Sequence, residues 1–350
     1  MEPLTKPSKA TRTCTHCPKM CRFACPVAEA SRNERHTPWA KQATLSDLVQ
    51  GRRAWTRDAA RSLYACADCH GSIPFCAHGI TASADLLPAR AQAVERGAYR
   101  PAPWVLERFA REGTPFARAG AARLAELAPG RDATAGTVLF PGCASLAGEG
   151  DDVRAAARWL GTYRTSAEAL CGGYPLLALG YEREFRVHRD RVASALRGAR
   201  RIVSLCPACN PILREATGAE VVHPLELAAR PSHRLEGSYA FHDPCHLSRT
   251  GDFPSTARSL LDAAFAGGRE ELLWYGRETR CAGGGGGLPA THPKTAHRAL
   301  ERRVDEFRAT CATTLVTACG NCLRRFRRAL PGPGVVRDAL DVLLQASGAP

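Results

Sequence analysis

The sequence of 350 residues contains no stretch approaching 18 uninterrupted apolar residues, so no transmembrane helix is readable in it. Its opening residues, Met1 to Cys14, hold no apolar core and no small-residue cleavage site, and no secretory signal is expected. No Ser-His-Asp set, no pair of carboxylates and no flavin or nicotinamide site stands out. The run Gly283 to Gly287 lacks the Lys-Ser/Thr ending that a phosphate-binding loop needs. Basic residues exceed acidic ones by 48 to 34, a formal charge of +14, but they are scattered through Ala/Arg-rich stretches such as Arg183 to Arg201 without interleaved aromatics. That texture describes solvated helix faces, and nucleic acid is not an expected partner. The expected location is the cytoplasm, with a peripheral position at the inner face of a membrane as the alternative.

What the chain has in quantity is cysteine, sixteen in all, and nearly every one belongs to a spaced group. Cys14, Cys17, Cys21 and Cys25 precede Pro26; Cys66, Cys69 and Cys76 follow. Then Cys143, Cys171 and the pair Cys206/Cys209 are echoed by Cys245, Cys281 and the pair Cys319/Cys322. Cys311 stands outside these sets and is expected to be a buried apolar residue. In a reducing compartment such grouping points to metal-binding thiolates, not disulfides, because spacing is what lets ligands converge. Bound thiolates and cluster cores, at about two negative charges per four-iron cluster, would offset much of the formal charge.

The organisation expected is multidomain, α followed by α/β. Residues 1–130 read as helical, with Trp55 to Tyr64 and Pro103 to Leu127 at helical spacing. A turn-rich break from Ala128 to Gly136 leads to strands alternating with helices. Strands are expected at Val138 to Phe140 and Ile202 to Leu205 in a domain of residues 136–235. A second domain, 236–350, repeats the order with strands at Tyr239 to His242, Leu272 to Tyr275 and Thr314 to Thr317. Such alternation implies mainly parallel sheets whose ligands emerge at the carboxyl ends of strands.

The first run, C-x2-C-x3-C-x3-C-P, is one residue longer than the common four-iron signature, and with the second run it resembles the helical two-cluster ferredoxin domains of respiratory oxidoreductases. That resemblance implies crossed ligation: Cys14, Cys17, Cys21 and Cys76 hold one 4Fe-4S cluster, and Cys25, Cys66 and Cys69 belong to the other. Counting the signature from Cys66 puts Ser72 at the remaining position. Three readings stay open: Ser72 ligates, neighbouring His70 substitutes, or the cluster is a three-iron species. Loss of the second cluster, and structural zinc in place of iron–sulfur, are the competing expectations.

Phe140-Pro141-Gly142-Cys143, Cys171-Gly172-Gly173 and Cys206-Pro207-Ala208-Cys209, then His242-Asp243-Pro244-Cys245-His246, Cys281-Ala282-Gly283-Gly284 and Cys319-Gly320-Asn321-Cys322, resemble the cysteine-rich CCG domain. That domain occurs in heterodisulfide reductase subunits and in the iron–sulfur subunits of glycolate and lactate oxidases and of anaerobic glycerol-3-phosphate dehydrogenase. The family motif demands a Cys-Cys-Gly turn, whereas Gly172 and Ala282 stand where its second cysteine belongs. Each copy thus offers four thiols, enough for a cubane or a zinc ion, where five hold the noncubane cluster that cleaves a disulfide in the heterodisulfide reductases. His242 and His246 are candidates for hydrogen bonds to a cluster sulfur. The resemblance implies an electron-transfer subunit working between a flavoprotein, such as a 2-hydroxy-acid oxidase, and a quinone or a second redox protein. The alternatives are a thiol-disulfide reductase and a zinc-stabilised binding module.

Overall fold

The structure is a computed structural model and describes residues 4–348 apart from 131, 133, 135 and 250. Three positions of the expected break between the first and second domains thus lie outside the described residues. The chain divides into two compact units. One comprises Met1–Trp104, Pro175–Phe185 and Arg277–Arg303; the other comprises Val105–Tyr174, Arg186–Gly276 and Val304–Pro350.

In the first unit the N-terminal stretch is helical. Short helices begin where a hydroxyl or a proline is available to start them. Lys9–Thr15 is capped by Ser8, whose Oγ accepts from Thr11 N at 3.0 Å. Pro26–Ser31 opens on a proline directly after Cys25. Pro38–Val49 combines both devices, with Thr37 Oγ1 accepting from Ala40 N. Leu45, Leu48, Leu63 and Leu86, all essentially buried, form the apolar centre with Ala59 and Ala89. Through this core runs Arg90, fully buried on the helix Ala82–Glu95. Its guanidinium donates to the carbonyls of Leu63, Cys66, Ala178 and Gly286 at 2.8 to 3.2 Å, so each of its N–H groups has an acceptor.

The second unit holds two parallel sheets. Strands β1 (Thr137–Phe140), β2 (Arg201–Ser204) and β3 (Glu220–Val222) lie in that order. Strands β4 (Tyr239–His242), β5 (Arg269–Glu270), β6 (Thr314–Thr317) and β7 (Val336–Asp338) lie in the order β5-β4-β6-β7. Strands β1, β2, β4 and β6 are buried continuously past their first residue, the pattern of parallel strands packed on both faces. Val138, Phe140, Ile202 and Val221 centre one core, and Tyr239, Phe241, Val316 and Leu343 centre the other. The mixture of helix and parallel sheet agrees with the reading of the sequence.

Two local expectations, at Leu272 to Tyr275 and at Cys311, are corrected. The strand expected at Leu272 to Tyr275 is absent; the pairing with β4 is made by Arg269–Glu270 instead. Leu272 is buried, but Leu273 and Tyr275 are 76% and 50% exposed, so this aromatic run covers a surface and never enters the ladder. The stretch Pro103 to Leu127, read at helical spacing, is helical as two elements, Trp104–Glu112 and Ala121–Leu127, parted at Gly113, whose φ of +67° ends the first. Cys311 is exposed, in the turn between the helix Pro293–Arg308 and β6, and no apolar neighbour buries it.

Candidate metal centres

In the first unit Cys14 lies in the helix Lys9–Thr15, and Cys17 and Cys21 follow in a turn where Cys17 N donates to Cys14 O at 3.2 Å. Burial pushes the Cys14 thiol up to about 12, and Cys76, Cys21 and Cys17 add to the shift. Burial likewise pushes Cys21 up to about 11, followed by Cys76 and Cys25. Cys76 thus stands with the first three cysteines although about fifty residues of chain intervene. Ile80 N approaches Cys76 Sγ at 3.4 Å, the kind of amide donation that stabilises a thiolate.

Cys25, Cys66 and Cys69 line a separate cleft of the same unit together with His70 and Ser72. Ser72 is half-buried and precedes the short 3-10 turn Ile73–Phe75. His70 Nε2 lies 3.3 Å from Asp68 Oδ1, and both residues hold positive φ, +59° and +51°. Such a conformation strains residues with side chains and re-aims them, here toward the cleft. Lys41, fully buried, borders the same cleft and donates to Ala65 O at 2.7 Å.

In the second unit, pairing of Phe140 with Ser204 sets the ends of β1 and β2 level. Cys143 follows three residues beyond β1 and Cys206 two beyond Ser204, so both leave the same sheet edge. Cys171 and Cys209 are buried beside them. The contact with Cys143, then burial, pushes Cys171 well above its ordinary value, while Gly173 N–H counters; contact with Cys206 and burial do the same to Cys209. His188 Nε2 lies 2.8 Å from Cys171 O and helps to hold that loop. Two glycines make the approach possible. A Cβ at Gly142 would sit 2.7 Å from Cys206 Cβ, and one at Gly172 would sit 3.0 Å from Cys209 Cβ and 3.2 Å from its Sγ.

The second copy repeats the strand-end geometry. His242 pairs with Thr317, so Cys245 and Cys319 leave one edge of their sheet, and Cys322 follows on the helix Gly320–Ala329. Cys281 belongs to the first unit, in a buried segment where Arg280 pairs with Glu29 and reaches Phe23 O. His242 packs edge-on against Phe326 at 4.8 Å, and His246 against Tyr174 at 5.9 Å. The glycine run does more than form a turn. A Cβ at Gly286 would meet Cys66 O at 2.2 Å, and one at Gly283 would meet Ala296 O at 2.4 Å.

These donor sets suit a thiophilic metal group. Crowded thiols push one another toward the protonated form, and a bound cation inverts that balance. Among the described residues no three or more His, Cys, Asp or Glu close on one ion. The supporting residues were not legible in the sequence. Asp243, of the His-Asp-Pro-Cys motif, is fully buried and accepts from Arg258 at 2.7 and 2.8 Å and from Gly276 N at 2.8 Å, fixing the loop that carries Cys245. Arg258 also grips Glu271 at 2.8 and 3.0 Å. Burial alone would lower the Arg258 pKa, but these carboxylates hold it above its ordinary value.

A parallel α/β unit with thiols gathered at its strand ends defines a cysteine-rich metal-binding domain, present here in two copies. The family model described as CCG, cysteine-rich domain, matches residues 137–214 and again 239–327. The chain therefore belongs to the iron–sulfur proteins built on the CCG domain. It is 28% identical over 210 residues to one of the subunits of the dihydromethanophenazine:CoB–CoM heterodisulfide reductase of Methanosarcina mazei, covering 52% of this chain and 50% of that one. It is 22% identical over 189 residues to one of the subunits of the fumarate reductase (CoM/CoB) of Methanothermobacter marburgensis, covering 50% and 38%. The probable iron-sulfur-binding oxidoreductase FadF of Bacillus subtilis is 31% identical over 113 residues, covering 30% and 16%. The matches span half or less of these relatives' length. No helix among the described residues is long and apolar enough to cross a membrane.

Proposed function

We propose that the protein is an iron–sulfur electron-transfer subunit of an oxidoreductase. It relays electrons between a flavoprotein partner, such as a 2-hydroxy-acid oxidase or dehydrogenase, and a quinone or second redox protein. The relatives named as subunits of larger reductases support a role within a multisubunit assembly. In this reading Cys14, Cys17, Cys21 and Cys76 hold one 4Fe-4S cluster. Cys25, Cys66 and Cys69, with Ser72 or His70, hold a second cluster, of four irons or three. Cys143, Cys171, Cys206 and Cys209, and likewise Cys245, Cys281, Cys319 and Cys322, hold a further cluster or zinc in each cysteine-rich domain. Bound clusters would supply one-electron steps; the protein holds them, excludes water and tunes their potential. The domains are residues 1–130, 136–235 and 236–350, and the setting is the cytoplasm or the inner membrane face.

The observation that carries the relay over disulfide reduction is the residue at the second position of each Cys-Cys-Gly turn: Gly172 and Ala282 leave four thiols in each set, the number an ordinary cubane uses. Anaerobic purification with iron, acid-labile sulfide and zinc quantification, followed by electron paramagnetic resonance before and after reduction, tests the proposal. Iron and sulfide in equal amounts, or with sulfide slightly in excess where one cluster has three irons, together with reducible signals support it. Zinc without sulfide, or turnover of disulfide substrates by the isolated chain, overturns it.

A further inference from the structure

The second unit contains a cleft of about 200 Å³ that the thiol sets do not account for. This is below the ~300–1,000 Å³ of pockets for drug-sized ligands. One wall is the short helix Cys143–Leu146, which presents Ser145; the other is the helix Gly320–Ala329, which presents Arg324 and Arg328. The walls approach so closely that a Cβ at Gly320 would lie 1.9 Å from Ser145 Oγ. Arg118 closes the rim.

Four arginines, Arg118, Arg324, Arg327 and Arg328, line the cleft against two carboxylates. Arg324 is largely withdrawn from solvent, its guanidinium laid over the Phe116 ring at 4.4 Å, and among the described residues it has neither an ion pair nor a side-chain hydrogen bond. Its Nε is buried without an acceptor. Arg118 and Arg328 likewise have no carboxylate partner among the described residues. The two acidic groups that border the cleft, Glu149 and Asp152, both act on Arg327. Glu149 pairs with Arg327 at 3.1 Å, and Arg327 makes a two-pronged bridge to Asp151 at 2.6 Å. Asp152 is buried, and that burial raises its carboxyl to about 6. A desolvated guanidinium is a strong, bidentate donor to carboxylate or phosphate oxygens, and leaving it without an anion is costly.

We infer that this cleft binds a small dianion, a dicarboxylate or a phosphate, with Arg324 as its principal ligand and Arg328 and Arg118 completing the clamp. Ser145 sits two residues beyond Cys143, which places the bound oxyanion beside the first cysteine-rich thiol set. A redox substrate or effector of that chemistry would dock next to a cluster.

The test is calorimetric titration of the anaerobically purified full chain with inorganic phosphate and, separately, with malonate at low ionic strength. Saturable binding of either probe is expected, and which one binds tells phosphate from dicarboxylate. Arg324→Gln and the exposed-rim variant Arg328→Gln weaken binding roughly tenfold or more, the loss of a charge-assisted contact. Arg197→Gln removes an equal charge at an exposed position outside the cleft and leaves the affinity unchanged. Failure of both probes, or equal weakening in all three variants, overturns the inference. So does an Arg324→Gln chain with unaltered binding but a shifted cluster midpoint potential, because the arginine then serves the cluster alone.

Discussion

At the scale of single residues, the thiols announce themselves and the groups that position them do not. Cys14 with Cys76, or Cys143 with Cys206, could be matched from the motifs and the families those motifs resemble. Arg90 and Lys41 could not, since a basic residue in an Ala-rich helix looks like any solvated one until backbone carbonyls are found around it. The strained backbone at Asp68 and His70 is also invisible in sequence, because only tertiary packing enforces it. Ser72 is the residue whose consequence is most direct. It lies in the cleft with Cys25, Cys66 and Cys69, and a hydroxyl is a much weaker iron ligand than a thiolate. Ser72→Cys is expected to raise iron and sulfide per chain, measured chemically on anaerobic protein. An unchanged metal content would mean that the corner is already filled.

At the scale of elements, the alternation of strand and helix was readable because parallel strands buried on both faces give short continuous apolar runs that end at a glycine or cysteine. It misled once, at Leu272 to Tyr275, where exposed Leu273 and Tyr275 imitate a buried strand. The loop after β4 depends on Asp243 and Arg258, an ion pair almost entirely out of water. Removing the charge of one partner in such a pair costs about 3–5 kcal/mol; here Glu271 still compensates Arg258, so the lower end is expected. Asp243→Asn should therefore lower the urea midpoint strongly and loosen the Cys245 loop, seen as faster alkylation of Cys245 in the apo chain. A stability within about 0.5 kcal/mol of wild type would assign the loop's order to another contact.

At the scale of the whole molecule, acid should weaken the fold. His223, in the second unit, and His292, in the first, both have pKa values lowered to about 3, chiefly by burial. A histidine whose folded pKa is depressed contributes stability that is complete above its unfolded value, near 6.5, and is lost as pH falls toward the folded value. Urea unfolding of the apo chain at pH 7 and pH 5 should show that loss, and His223→Gln should narrow the difference. Equal losses in the two chains would remove His223 from the account.

The first unit is assembled from three stretches of chain, the last of which begins at Arg277, and Arg90 is satisfied only when carbonyls from Ala178 and Gly286 reach it. During synthesis, then, the N-terminal thiols emerge early but wait for most of the polypeptide before their surroundings are complete. In the proposed reading, insertion of a cluster at Cys66 and its neighbours would be a late event, and seven N-terminal thiols would have to stay reduced and free of the wrong metal throughout that interval.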